Sequence, residues 1–141
     1  MNKTLKALLI VPIAMGLSAP ATSGKLGGKE LNQRQQKKYD ARLAGRPAGK
    51  PISCINRWDR KYMSVISDDV ILFGKSRTAK TIYVNKPYGG CSGAEDHALV
   101  TRSGFSQLCK GEIAQVQDLV NGSFQGSCAW GEFVPYTKDP G

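Results

Sequence analysis

The apolar positions of this chain fall into three unlike regimes. Ala7 to Leu17 is an apolar run broken only by Pro12 and Gly16. Lys29 to Ala44 is dominated by Gln, Lys, Arg, Leu and Ala, a composition that favours helix. Leu31, Gln35, Tyr39 and Leu43 recur every four residues along one side of it, giving a thin stripe of three apolar residues with one polar interruption. That spacing predicts a helix stopped at Gly45, marginal alone and ordered by docking. From Ile52 onward the pattern becomes short apolar runs between turn residues.

Those runs read as strands. Tyr62–Ile66 and Val70–Phe73 flank a turn at Ser67-Asp68-Asp69. Gly74 to Thr78 turns again, and Ala79–Val84 resumes with Ile82 and Val84 on one face and Tyr83 on the other. Asn85 to Gly93 is an ordered loop, Ala98–Val100 a short strand, and Phe105 to Cys109 a compact turn or half-helix. Glu112–Val116 places Ile113 inward together with Val116 or Ala114, with a bulge expected. Asn121-Gly122 and Gly126-Ser127 are turn signals, and Trp130, Phe133 and Val134 form a closing strand. Five to seven such strands predict an all-β fold, a small antiparallel barrel or sandwich, with an N-terminal helix or flexible arm.

The first regime changes the picture most. Lys3 and Lys6 precede the apolar run, and Ser18-Ala19-Pro20-Ala21 follows it. This is the layout of a secretory signal peptide over residues 1–21, cleaved after Ala21. The run is shorter than the roughly 20 apolar residues that span a bilayer, and the mature chain has no segment apolar enough to cross one. The expected organisation is a basic flexible or helical arm at 22–51, loose at 22–28, then a β domain at 52–141. Residues 22–61 carry a net charge of +8 and residues 62–141 a net of −1. The basic character is therefore assigned to the N-terminal arm, not to the globular part. Such an arm is drawn to anionic lipid or polyanionic surface polymers, or serves only to solubilise the chain as a loosely ordered segment, and export makes nucleic acid an unsuitable partner.

Four cysteines, Cys54, Cys91, Cys109 and Cys128, follow the leader. An oxidising compartment makes them disulfides. Three pairings are open. The nested one, Cys54 with Cys128 and Cys91 with Cys109, ties the opening of the domain to its last strand. Spacings of 37, 18 and 19 residues do not match the close pairs of a zinc site. No metal and no cofactor is implied.

Candidate chemistry is sparse. His97, the one histidine, follows Glu95 and Asp96, and a carboxylate beside imidazole is the beginning of a general base. No nucleophile motif accompanies it. Asp68 and Asp69 read as a hairpin turn. Trp58 lies among Arg57, Asp59, Arg60 and Lys61, suiting an anionic surface or simply covering the end of the barrel. With Tyr83 and Tyr88, Trp58 and Arg57 are the candidate ligand-binding residues.

The stretches around Cys54-Ile55, Asp68-Asp69, Tyr83-Val84-Asn85 and Cys91-Ser92-Gly93 form an ordered set. Leu108-Cys109-Lys110-Gly111-Glu112-Ile113 and Ser127-Cys128-Ala129-Trp130-Gly131-Glu132-Phe133 complete it. Over residues 52–135 this set resembles a family of small exported proteins of Gram-negative bacteria carrying a domain of unknown function. The resemblance implies a periplasmic setting and structural cysteines, and no activity. The expectation is a non-enzymatic periplasmic binding or envelope-associated module whose partner is an envelope protein or an anionic surface polymer. The alternative is a small hydrolase built on His97 with Asp96 or Glu95. A third reading, an inhibitor of a foreign hydrolase, lacks an identifiable inhibitory loop.

Overall fold

The computed structural model describes residues 29–104 and 106–140. The expected leader at 1–21 and the expected loose stretch at 22–28 lie outside the described residues. The predicted helix is α1, Gln33–Leu43. Asn32 caps it: its side chain accepts from Gln35 N, and the Gln35 side chain accepts from Asn32 N, both at 2.9 Å. This reciprocal pair satisfies two donors that a helix start leaves open. Gly45, at φ 68°, takes the left-handed turn that ends it.

Nine strands, all paired antiparallel, form among the described residues. One sheet orders β2 (Tyr62–Ser67), β3 (Val70–Gly74), β4 (Thr81–Asn85) and β9 (Phe133–Thr137). A second orders β5 (Ala98–Thr101), β7 (Ile113–Gln117) and β8 (Phe124–Ala129), and β1 (Cys54–Asn56) pairs with β6 (Gln107–Cys109). The fold is therefore all-β and sandwich-like, with no closed barrel.

Strand β3 shows why the layers stack as they do. Every residue of Val70–Gly74 is buried. Side chains alternate across a strand, so Val70 and Leu72 join Ile66, Ile82 and Val84 on one face, where Leu31, Tyr39 and Leu43 of the helix region pack. Ile71 and Phe73 face the other way, onto Ala114, Val116 and Cys128 of the second sheet. Phe73 meets Trp130 and Phe133 edge-on, at ring-centroid distances of 5.2 and 5.7 Å. The sheet is covered on both sides, by helix and by sheet.

Docking holds α1 by more than its stripe. Gln35, the polar interruption, donates to Glu95 Oε1 at 2.7 Å. Lys38 donates to Val65 O, and Arg42 to Arg77 O while its guanidinium lies 5.2 Å from the Tyr62 ring centroid. Burial, then the neighbouring Tyr136 hydroxyl, raises the Tyr39 phenol above its ordinary value.

Several expectations change. The nested cysteine pairing is replaced by Cys54–Cys109 and Cys91–Cys128. Cys54 stands directly opposite Cys109 in the β1–β6 ladder, which fixes the first bridge. Cys91 and Cys128 meet in the core between the sheets. Ile113 points outward, because Ala114 and Val116 take the core face and a strand can bury only alternate residues. Gly126-Ser127 is not a turn but lies within β8, with Gly126 opposite Val116. The compact turn before Cys109 is the short strand β6, and Trp130 sits in the connection between β8 and β9 rather than in the closing strand. The expected bulge falls one step later, beside Gln117.

Candidate functional site

A tight turn after β1 builds the most distinctive surface. Asn56 Oδ1 accepts from Trp58 N at 2.9 Å and from Asp59 N at 3.0 Å. Its Nδ2 donates to Asp59 Oδ2 at 2.7 Å, and the Tyr83 hydroxyl donates to the same oxygen at 3.3 Å. The only carboxylate of the turn is thereby drawn inward and buried. Burial, followed by the Asp59 charge, raises the Tyr83 phenol. With Asp59 held inside, Arg57, Trp58, Arg60 and Lys61 are left at the surface. Trp58 is 55% exposed, with the Arg57 guanidinium 4.6 Å from its ring centroid.

This turn overhangs an open depression of about 690 Å³. Arg57, Trp58, Arg60 and Lys61 line its rim, and Met63, Phe73, Leu99, Leu108 and Trp130 supply apolar walls. Trp130 is held there by donating its indole N–H to Thr101 Oγ1 at 3.2 Å. A smaller hollow of about 360 Å³ adjoins Trp58 and Lys61 and adds Lys75. Four cations, Arg57, Arg60, Lys61 and Lys75, and no carboxylate line the two. A shallow depression along the outer side of α1 instead mixes Glu30, Lys37 and Asp40 and has no convergent chemistry.

The candidate ligand-binding residues divide. Arg57 and Trp58 are at the depression, and Tyr83 supports the turn from beneath. Tyr88 stands elsewhere: its N–H bridges to Ala129 O, near Lys110. Lys110 donates to Glu132 at 3.0 Å, and that bond, with the carboxylate's charge, raises the ammonium.

His97 is used by the fold around it. Its Nδ1 is 2.8 Å from Gly93 O, a carbonyl that can only accept, so that nitrogen carries the proton. Its Nε2 lies 3.8 Å from Asp118 Oδ2. The carboxylate partner is therefore Asp118, not Asp96 or Glu95. Asp118 is held below the ordinary carboxylate value first by the N–H of Asn121, then by that of Val120, with His97 a smaller cause. Glu95 accepts from Gln35, and Asp96 is exposed.

Asp68 and Asp69 form the expected hairpin turn between β2 and β3 and also hold the loop that carries Cys91. Asp68 accepts from Gly93 N at 3.1 Å and Glu95 N at 3.4 Å, while its carbonyl accepts from Cys91 N at 2.7 Å. Asp69 accepts from Lys29 N at 3.1 Å. No group of three or more His, Cys, Asp or Glu that could hold a metal ion occurs among the described residues. No helix among them is long and apolar enough to cross a membrane.

No protein-family model, curated protein or solved structure matches the chain.

The charged residues around Trp58, Arg57 to Lys61, were legible in the sequence; the Asn56-centred turn that carries them was not. Lys75 and the apolar walls were not, because they reach the site from β2, β3, β5, β6 and the β8–β9 connection.

Proposed function

We propose that this chain is a non-enzymatic periplasmic binding module, and that the depression beside Trp58 takes an anionic surface polymer. The observation that carries this reading is the one-signed rim: Arg57, Arg60, Lys61 and Lys75 around an exposed Trp58, with Asp59 sequestered below. An exposed indole face stacks on the apolar side of a sugar ring, and guanidinium forks pair with carboxylate or phosphate in two parallel bonds. Anionic glycan repeats present both features together. The shallow, open form suits an extended chain better than a small enclosed substrate. Export by the leader at 1–21 brings the domain to such polymers.

Exposed ion pairs weaken with salt, so binding should fall as ionic strength rises. The test is titration of the purified protein with a uronic-acid oligosaccharide, followed by calorimetry and tryptophan emission. A neutral glucan of equal length is the comparison. The acidic chain should bind and quench Trp58, and Trp58→Ala and the Arg57→Ala/Arg60→Ala pair should abolish the signal while His97→Ala leaves it intact. Equal binding of the neutral glucan, or binding unchanged in Trp58→Ala, would sink the proposal.

A further inference from the structure

The net charge of −1 on residues 62–141 conceals a separation of charge within the β domain. Asp68 and Asp69 turn between β2 and β3, and Asp68 accepts from Gly93 N and Glu95 N, which brings Glu95 and Asp96 to that end of the sheet. His97, with Nδ1 on Gly93 O and Nε2 3.8 Å from Asp118 Oδ2, adds a further carboxylate there. At the opposite end, the β3–β4 loop carries Lys75, Arg77 and Lys80. Lys138 follows β9, its N–H donating to Lys80 O at 3.0 Å. All four cations are exposed. Of the acids at this end, Asp59 is buried, and Asp139 follows Lys138.

This cationic end is continuous with the Trp58 depression. Gly74 stands opposite Tyr62 in the β2–β3 ladder, so Lys75 leaves β3 beside Lys61, and the two share a hollow with Trp58. Two arginines of the helix region hold the loop beyond. Arg42 donates to Arg77 O at 3.1 Å, and Arg46 donates to Lys80 O. Both acceptors are neutral backbone carbonyls, so the guanidinium charges are not cancelled. Nε and Nη2 of Arg42 are buried without a hydrogen-bond partner. Burial, then the Arg42 charge, lowers the Arg46 guanidinium. The ion pairs His97–Asp118 and Lys110–Glu132 lie elsewhere, and none of these loop and helix cations pairs with a carboxylate among the described residues. In the order β2-β3-β4-β9 this end crosses three strand spacings, about 14 Å.

We infer that the path of the anionic polymer runs on from the depression over Lys75, Arg77 and Lys80 to Lys138, so that chain length as well as charge selects the ligand. The inference rests on the depression being a polymer site. Its cations extend over more than the Debye length, roughly 10 Å in dilute buffer. A small anion seated beside Trp58 is therefore screened from Lys80 and Lys138, and only a chain that itself reaches them gains their attraction. Arg42 and Arg46 act as positioning residues, anchoring the loop backbone while the Arg77 and Lys80 side chains stay at the surface. A lipid surface fits less well. An inserting face carries apolar side chains beside its cations, whereas the exposed Leu119, Val120 and Phe124 lie around the β7–β8 turn, next to Asp118 at the acidic end.

The test is calorimetry of the purified protein, both disulfides intact, with a uronic-acid disaccharide and a long oligomer of the same sugar. The long oligomer should bind more tightly. Arg77→Ser/Lys80→Ser should lower its affinity by about fivefold and leave that of the disaccharide unchanged. The two side chains are exposed, and Arg42 and Arg46 bond to the backbone at these positions, so the substitutions keep the loop's anchors. Lys86→Ser, at an exposed lysine just past the other end of β4, should change neither affinity. Long-oligomer binding that depends on Trp58 but is indifferent to the double substitution overturns this inference and leaves the depression as a site. An equal loss in Lys86→Ser also overturns it. Failure of the native protein to bind either sugar overturns the depression as a polymer site, and this inference with it. Vesicles of phosphatidylglycerol are the last arm: loss of vesicle binding in the double variant, with long-oligomer binding intact, would assign the face to lipid instead.

Discussion

Asn85 is the side chain whose loss this structure prices most sharply. It ends β4 and is fully buried. Its Nδ2 donates to Gly131 O at 2.8 Å and Glu132 O at 3.3 Å, and its Oδ1 accepts from Gly131 N at 3.1 Å. These bonds fix the connection between β8 and β9, whose first residue, Trp130, walls the depression. The connection runs so close to β4 that a Cβ at Gly131 would strike the Lys86 carbonyl. Asn85→Ala leaves the N–H and carbonyl of buried Gly131 without partners. Each buried group left unmade costs roughly 1–3 kcal/mol. Glu132 is exposed, so water can replace the third bond. The expected loss is about 3 kcal/mol, a large share of the roughly 5–15 kcal/mol that stabilises a domain. The assay is urea unfolding with both disulfides intact, read by the emission of buried Trp130. Asn85→Asp sharpens it. The introduced carboxylate keeps the bond from Gly131 N but faces two carbonyl oxygens. Its folded-state pKa is then raised, because only the protonated form can donate to them. Relative to the native protein, this variant should be weakened most above the ordinary carboxylate pH and should regain stability as pH falls. A loss in Asn85→Ala below about 1 kcal/mol, or an Asn85→Asp deficit independent of pH, would refute the lock.

The bridges offer a second test. With sequence separations of 55 and 37 residues, chain entropy assigns about 4 kcal/mol to each. Replacing Cys91 and Cys128 by Ala should cost more than replacing Cys54 and Cys109, because both members of the former pair lie in the core. Unreduced peptide mapping should join Cys54 to Cys109, and recovery of a Cys54–Cys128 peptide would contradict the ladder. Tyr39 supplies a pH dependence. Its folded-state phenol lies above the ordinary 10.0, so the protonated form is the better fit. That contribution is complete below pH 10 and is lost as pH rises toward the folded value. α1 should therefore loosen in alkali, and amide exchange along the helix should show it. Tyr39→Phe should remove that alkaline step, and an identical alkaline profile in the variant would exclude Tyr39 as its cause.

What residue order alone determined was local. The four-residue step from Tyr39 to Leu43 marked α1 and the side it docks with, because a helix repeats nearly every four residues; the helix starts at Gln33 rather than Lys29, and Leu31 packs from just before its cap. The run Val70–Phe73 and the alternation around Tyr83 marked strands, since β-branched and aromatic residues fit a pleated surface. The cationic cluster about Trp58 was legible for the same reason: it is contiguous. Tertiary structure decided whatever depends on which strands become neighbours. The cysteine pairing followed from the β1–β6 ladder, which spacing does not encode. The outward turn of Ile113 followed from Ala114 finding the core. Glycine and serine at 126–127 suggested a turn, yet there β8 crosses opposite Val116. Asp68 and Asp69 were correctly placed between strands, but their grip on the Cys91 loop needed residues some 25 apart to meet. Periodicity reports the environment of each residue along its own segment. Contacts between segments are chosen by packing the whole chain, and the groove, its walls and the cationic end of the sheet exist only after that choice is made.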